Sequence, residues 1–279
     1  MSDADVRFSL VLCTLGRPRE VERWLASLAA QTYQNFELIL VDQNKDDCMA
    51  PVIARFAGLK SITHIRSAPG LSRGRNLGIK KIAGDVLALP DDDCVYPPDL
   101  LERVNAFFKS HPQHDGLVGS VSGSRHWSRK TGKVTRYRLW WQGVDFTEFF
   151  RRSMVDQVGL LDERLGLGSG TPFSAGECPD YMLRCLTSGF SLWYDPSLVI
   201  DHPGPFENHQ YIEAEIKKAL GYSTGVGYVI QRHGYPAWYK GYVAARPMVG
   251  AAISLLRLRP KRAKLYWNVA RGLARGYRS

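Results

Sequence analysis

Apolar runs and amphipathic stretches alternate along the first part of this chain. Phe8 to Cys13 (FSLVLC) is a continuous apolar run, too short for a helix, and reads as a buried strand closed by the turn Thr14-Leu15-Gly16-Arg17-Pro18. Glu20 to Ala30 follows, with Val21, Trp24, Leu25 and Leu28 at helical spacing. Phe36 to Val41 (FELILV) is a second strand and ends at Asp42. Pro51 to Phe56 reads as a helix, Ser61 to Arg66 as a strand, Arg73 to Ile82 as a helix and Asp85 to Leu89 as a fourth strand. Strands separated by helices imply right-handed crossovers and a parallel sheet. Ligands of such sheets sit beyond the carboxyl ends of the strands. Thr14, Asp42 and the triplet Asp91-Asp92-Asp93 all lie at such ends, so one crevice would collect them.

Beyond Leu101 the pattern loosens. Glu102 to Ser110 reads as a helix, Leu117 to Ser122 as a strand, and Arg125 to Arg138 as a basic surface loop or hairpin. Arg151 to Leu161 predicts a short strand and helix, followed by glycine-rich loop from Gly166 to Gly170 and on to Gly176-Glu177. Pro179 to Ser188 is helical, with proline in the first turn where its missing N–H costs nothing. Phe190 to Tyr194 and Leu198 to Ile200 are two short strands, and the segment closes on His202-Pro203. Tyr211 to Gln231 has helical character, and Gly241 to Leu258 is apolar but short and interrupted by Pro247. No internal repeat or low-complexity block is present.

Charge divides the chain more sharply than periodicity does. The formal net charge is +10, yet Ile216 to Ser279 holds 13 Lys and Arg with no Asp or Glu, leaving 24 basic and 27 acidic residues before it. A mildly acidic body therefore carries a strongly basic tail, of the kind that meets nucleic acid or an anionic membrane face. Trp238, Tyr239, Tyr242, Tyr266 and Trp267 lie among Arg246, Arg257, Arg259, Lys261, Arg262 and Lys264. Aromatic residues, an apolar helix and a basic rim predict a helix lying in a membrane interface. A helical appendage packed on the body is the alternative, and no RNA-binding motif accompanies the charge. The expected division is 1–205 and 206–279.

The 279 residues, 44% of them hydrophobic, fit one large soluble domain or one domain with an appendage. Five cysteines without paired spacing argue for reduced thiols and a cytoplasmic setting. Met1 to Arg7 is polar and acidic rather than a secretory signal, and no window reaches the roughly 20 apolar residues of a spanning helix.

The strongest chemical signal is Leu87-Ala88-Leu89-Pro90-Asp91-Asp92-Asp93, an apolar run ending in three carboxylates. Adjacent like charges at a strand end call for a counter-cation, and a hard divalent ion holding a diphosphate on its far side supplies one. A solvated acidic turn is the bland alternative.

Several ordered pieces resemble family 2 glycosyltransferases of the GT-A fold, in the bacterial exopolysaccharide or lipopolysaccharide type. They are Val11 to Thr14 with Arg17, Gln31 to Asp42, Gly70 to Ile79, Gly84-Asp85 through Asp91-Asp92-Asp93 to Leu101, Gly176-Glu177 through Arg184, and Tyr194-Asp195-Pro196 through His202. The resemblance implies an α/β, Rossmann-like, mostly parallel sheet flanked by helices, with the basic C-terminal helical region as an extension. It also implies an inverting, metal-dependent hexosyltransferase. Such an enzyme moves a sugar from a nucleoside-diphosphate sugar, with uridine favoured as the base, to a hydroxyl of a lipid-linked or polysaccharide acceptor. The implied setting is cytoplasmic, peripheral on the inner face of the cell membrane.

By that resemblance Asp42 accepts a hydrogen bond from the nucleobase, its alternative being a cap on the turn near Asn44, and Thr14 and Arg17 border the nucleotide. The Asp-x-Asp motif, spaced back from Pro98-Asp99-Leu100, falls on Asp91 and Asp93, with Asp92 between them in the donor site. Of the expected ligands of Mn2+ or Mg2+, Asp93 binds directly, Asp91 lies closer to the ribose or a bound water and so also serves the donor, and the late His202 reaches the metal or the diphosphate. Arg73, Arg75 and Asn76, in a glycine-flanked helix start, are expected on the phosphates. The family often has a small residue at the place of Arg73.

The catalytic base departs from the family pattern. Counting back six from Arg184 lands on Cys178, where the family has aspartate. An inverting transfer needs a carboxylate to take the acceptor's proton, so the base falls to Glu177 or Asp180. Glu177 lies just before the helix, and Asp180 also suits a first-turn cap. Trp140 and Trp141 are candidates for stacking on sugar rings. A nucleotidyltransferase would need a glycine-rich basic signature where Thr14 to Pro18 stands, and the odd base motif keeps a non-catalytic GT-A-like lipid-binding or scaffold protein as the alternative.

Overall fold

The computed structural model describes residues 5–59, 61–123, 128–142, 144–202 and 213–279. Residues 1–4, residues 125–127 of the expected basic excursion, Tyr211 of the expected tail helix and the 205/206 division lie outside the described residues. In chain order the elements are β1 (Phe8–Thr14), α1 (Pro18–Ala29), β2 (Phe36–Asp42), α2 (Ala50–Arg55), β3 (Ile62–Arg66), α3 (Leu71–Ile79), β4 (Val86–Ala88), α4 (Leu100–Ser110) and β5 (Gly116–Val121). They continue with β6 (Gly132–Lys133), β7 (Glu148–Arg151), α5 (Arg152–Val158), α6 (Glu177–Thr187), β8 (Leu192–Ile200), α7 (Glu213–Arg232), α8 (Ala237–Leu256) and α9 (Pro260–Gly276). These fall into two compact units: residues 1–69, 73–161 and 181–204, and residues 70–72, 162–180 and 205–279.

The first unit holds the whole sheet, in the order β3-β2-β1-β4-β7-β5-β8-β6. β1 pairs parallel with β2 and β4, and β2 with β3, so Thr14, Asp42 and Arg66 line up across three adjacent carboxyl ends. Phe8, Leu10 and Leu12 of β1, with Leu38 and Leu40 of β2, belong to one core with Val21, Trp24 and Leu25 of α1 and Leu100, Leu101 and Val104 of α4. Alternate residues of β1 serve the opposite face, where α3 sits unusually close. A Cβ on Gly78 would fall 2.3 Å from Val11 Cγ1, and one on Gly74 3.0 Å from Cys13 Sγ. Only glycine permits that approach.

The sheet is mostly parallel, as expected, with β7 inserted antiparallel between β4 and β5 and β6 antiparallel to β8 at the edge. The residues of β7 are buried on both faces: Phe149 packs edge-on with Phe8, while Phe150 meets Tyr181. The two short strands expected around Asp195-Pro196 form a single strand, β8. Proline cannot donate to a ladder, and the register shifts between Val118 and Ser120 at that level, with Ser120 Oγ donating to Pro196 O at 2.8 Å.

The second unit is helical. α9 lies tightly on α7: a Cβ on Gly272 would come 2.0 Å from Ser223 Oγ, and one on Gly276 2.2 Å from Thr224 O. Asn268 Nδ2 donates to Ile216 O at 3.0 Å and Tyr277 OH to Lys240 O at 3.2 Å. α8 runs unbroken through Pro247, which is buried. The loop 162–180 belongs to this unit through Phe173 stacked on Tyr228 at 4.3 Å and Leu71 N donating to Leu167 O at 2.8 Å.

Candidate active site

In the first unit the acidic triplet follows β4 and each carboxylate has its own set of partners. Asp92 turns to β1: Thr14 Oγ1 donates to its Oδ2 at 2.8 Å and Arg17 NH1 to its Oδ1 at 3.0 Å. The same Arg17 NH1 reaches Asp93 Oδ2 at 2.7 Å. Asp93 Oδ1 lies 3.0 Å from His202 Nε2, and the His202 ring stacks on Phe146 at 4.6 Å. Asp91 Oδ1 accepts from Arg75 NH2 at 2.9 Å, and Arg75 NH1 also bonds Asp145. Arg75 is 1% exposed, a guanidinium locked between two acids from different loops.

Burial, then the neighbouring Asp145, pushes the Asp91 carboxyl up to about 7 against the pull of Arg75. Burial also raises Asp92, with Thr14 and Arg17 opposing. Asp93 is held down at about 2, chiefly by the hydrogen bond from His202 and also by Arg17. Four carboxylates (Asp91, Asp92, Asp93 and Asp145) thus share two arginines. With His202 the only further partner of Asp93 among these contacts, the cluster is acidic and suits a cation.

The donor set fits such an ion. One ligand atom each from Asp91, Asp93 and His202 lie within 4.8 Å of one another, and two carboxylates with an imidazole are donors that Mn2+ or Mg2+ accepts. Among the described residues no other group of three His, Cys, Asp or Glu meets that test.

Asp42, fully buried at the end of β2, is already well supplied. Its Oδ1 accepts from Asn44 N at 2.9 Å and Asn44 Nδ2 at 2.7 Å, so it does cap that turn. Its Oδ2 lies 3.0 Å from His64 Nε2 and 3.3 Å from Arg66 Nε, both on β3. On α3, Arg75 reaches the acidic cluster. Arg73 is exposed and donates to Pro69 O at 3.1 Å, and Asn76 clamps Leu161 with both ends of its amide, at 3.0 and 2.9 Å. Trp140 and Trp141 are half-buried on a short helical turn.

In the second unit, Glu177 opens α6 and is 7% exposed. Gly166, at φ +98°, faces it: a Cβ there would come 3.3 Å from Glu177 Cδ and 3.0 Å from Ser72 Oγ. Asp180 is fully buried, with Oδ1 2.8 Å from His233 Nε2 and 3.9 Å from Arg232 Nε on α7. Arg232 also pairs with Asp162. Asp162 in turn accepts from Arg164 at 2.7 Å, and the Arg164 hydrogen bonds hold its carboxyl well below the usual carboxylate range. Cys178 is buried.

The family model for glycosyl transferase family 2 matches residues 9–159. The chain belongs to that family. The PGL/p-HBAD biosynthesis glycosyltransferase of Mycobacterium bovis (strain BCG / Pasteur 1173P2) is 34% identical over 228 residues, 79% of this chain and 86% of the relative. The glucosyl-dolichyl phosphate glucuronosyltransferase of Haloferax volcanii is 24% identical over 218 residues, 71% of this chain and 69% of the relative. Among solved structures, the mannosyltransferase PcManGT from Pyrobaculum calidifontis, in complex with GDP-Man and Mn2+, aligns with a TM-score of 0.64 at 13% identity, over 98% of this chain and 87% of that one. S. aureus TarS aligns with a TM-score of 0.63 at 16% identity, over 96% of this chain, which spans 55% of the TarS chain. At these identities the likeness is one of fold, and the fold is GT-A.

This family 2 glycosyltransferase has site neighbours that sequence reasoning missed. Asp145, on a short turn before β7, shares Arg75 with Asp91 across 70 positions. His64 and Arg66 sit two apart on β3, the spacing that places both on one face of a strand. That alternation was the available signal. For His233, which meets Asp180 across 53 positions, no local pattern points to the pairing.

Proposed function

We propose that this glycosyltransferase moves a sugar, with inversion, from a nucleoside-diphosphate sugar to a hydroxyl of a lipid-linked or polysaccharide acceptor. UDP is the favoured nucleotide, and Mn2+ or Mg2+ the cofactor. The observation that carries the reading is the cluster of Asp91, Asp93 and His202 at the carboxyl end of β4, where carboxylates outnumber the arginines paired with them. Those three residues would hold the cation, which when bound neutralises charge on the departing diphosphate.

The chain's own residues do the remainder. Arg17 fixes the orientation of Asp92 and Asp93 through one guanidinium nitrogen, and Thr14 locks Asp92 from the other side. Arg75 sets the rotamer of Asp91 and offsets its charge. Asp42, with Asn44 and Arg66 around it, would receive the nucleobase. Glu177 would take the proton from the acceptor hydroxyl as its oxygen bonds to the anomeric carbon, while the carbon–oxygen bond to the diphosphate breaks and its electron pair leaves with the nucleotide. Asp180, held by His233, suits a supporting role for the start of α6. The setting proposed is the inner face of the cell membrane, with residues 206–279 as the membrane-associating region. No helix among the described residues is long and apolar enough to cross a bilayer.

Cys178, where the family carries a carboxylate, favours the second reading, a non-catalytic lipid-binding or scaffold protein. Turnover of a panel of UDP-, GDP- and dTDP-sugars with Mn2+, with and without chelator, separates the two. Metal-dependent release of nucleotide from one donor supports the enzyme; silence across the panel sinks it.

A further inference from the structure

α8 presents to solvent a face that has almost no polar character. Trp238, Tyr242, Ala245, Val249, Ala252 and Leu256 recur at alternating steps of four and three, the spacing of one helical stripe, and all six are exposed. Leu256 is 85% exposed and Trp238 65%. Met248, Ile253 and Leu255 widen the stripe on its flanks. Only Lys240 and Arg246 carry charge within the helix.

The turn into α9 sharpens the pattern. Leu258 is 89% exposed and holds φ +53°, the one non-glycine residue with positive φ among those described. A leucine gains nothing from that left-handed conformation, which ordinarily falls to glycine or asparagine. Here it stands between Arg257 and Arg259, with Lys261 and Lys264 following on α9. Exposed apolar tips therefore alternate with cations at one end of the stripe, and tryptophan and tyrosine occupy the other.

We propose that this face of α8, with the Arg257 to Lys264 rim, docks on an anionic lipid bilayer, the helix lying in the headgroup plane. The proposal rests on the reading of the acceptor as lipid-borne and identifies the surface that would bring the protein to it. Charge selects this occupant. Residues 216–279 hold 13 basic side chains and no acidic one, which suits anionic headgroups. A second copy meeting the same face would bring two basic regions together with no acidic residue in 216–279 to pair them. Leucine and valine side chains would enter the acyl boundary, tryptophan and tyrosine would sit at headgroup level, and the arginines would meet lipid phosphates.

The test is co-sedimentation of the full chain with phosphatidylcholine vesicles, with and without phosphatidylglycerol. Binding should require phosphatidylglycerol and fall with added salt. Val249→Glu with Leu256→Glu should reduce the bound fraction at least about tenfold, since two side chains proposed to enter the acyl boundary become charged. Arg257→Gln with Arg259→Gln should weaken binding about tenfold and flatten its salt dependence. Both pairs are exposed, so melting curves should match the parent. Quenching of tryptophan emission by brominated lipid reads the same contact in the unmodified chain and should diminish in Trp238→Phe. No binding to anionic vesicles, binding indifferent to lipid charge, or full retention by the Val249→Glu, Leu256→Glu chain overturns the proposal. So does a concentration-dependent dimer that this double variant abolishes while vesicles go unbound. Donor hydrolysis by the same preparations without vesicles should be equal in all of them. Its absence throughout would count against the glycosyltransferase mechanism and leave the vesicle result standing.

Discussion

Thr14 and Asp92, 78 positions apart, are joined by a 2.8 Å hydrogen bond that ties the end of β1 to the middle acid of the triplet. That bond divides the labour within three identical residues. Asp92 faces Thr14 and Arg17, which leaves Asp91 and Asp93 to share the ligand cluster with His202.

The division makes the three acids unequal under mutation. Asp93→Asn is expected to lower metal-dependent turnover by about 10²-fold or more and to raise the Mn2+ concentration needed for half-maximal rate. Asp92→Asn keeps its hydrogen-bonding shape toward Thr14 and should lose only about tenfold. Initial rates across a Mn2+ titration check both. Equal losses in the two variants would remove the distinction.

Arg75 offers a stability test. It is almost fully buried and serves Asp91 and Asp145 together, so Arg75→Met strands two acids and should cost about 3–5 kcal/mol. Adding Asp145→Asn should recover part of that loss. Urea unfolding of the single and double variants measures the coupling, and purely additive effects would contradict it.

Titration of the site has a definite sign. The Asp91 carboxyl, raised to about 7 from 3.8, keeps a proton in the folded state that the unfolded chain has lost. Metal-free protein should therefore lose stability as pH climbs from about 4 to about 7. Asp93 acts in the opposite sense: held at about 2, it stabilises the fold above 3.8, and that contribution disappears as pH falls through about 2. Thermal melts in chelator should be higher near about pH 5 than near about pH 7.5, and Mn2+ should reverse the order because ionised Asp91 then has its cation.

Glu177 and Asp180 should separate in kind. Glu177→Gln is expected to reduce transfer by about 10²–10⁴-fold with donor affinity unchanged. Asp180→Asn, like His233→Ala, should instead lower the melting temperature, because each breaks a buried pair. Donor binding, transfer rate and melting are read on each variant. Loss of transfer in Asp180→Asn with Glu177→Gln active would move the base to Asp180.

Much of the first unit was legible in the order of residues. β1, β2 and α1 follow from apolar runs and from the spacing of Val21, Trp24, Leu25 and Leu28, because those signals are local. The triplet announced itself through charge alone. What could not be read was pairing. Glu148 to Arg151 has strand character, but its antiparallel seat between β4 and β5 depends on partners far away in sequence. Pro196 suggested a break that a register shift absorbs, and Pro247 an interruption that α8 tolerates. Asp145, His64 and His233 joined the polar clusters for the same reason: each meets its carboxylate or arginine through the folded chain rather than through neighbouring positions.

The close seat of α3 on β1 has a consequence for the acids. Two absent side chains, at Gly74 and Gly78, let the helix backbone rest against Val11 and Cys13 with no slack. Arg75 lies between those two contacts in sequence. The cation that tempers Asp91 is thereby indexed to the strand that also carries Thr14, so a methyl group added at Gly78 would detune the electrostatics of a carboxylate it never touches.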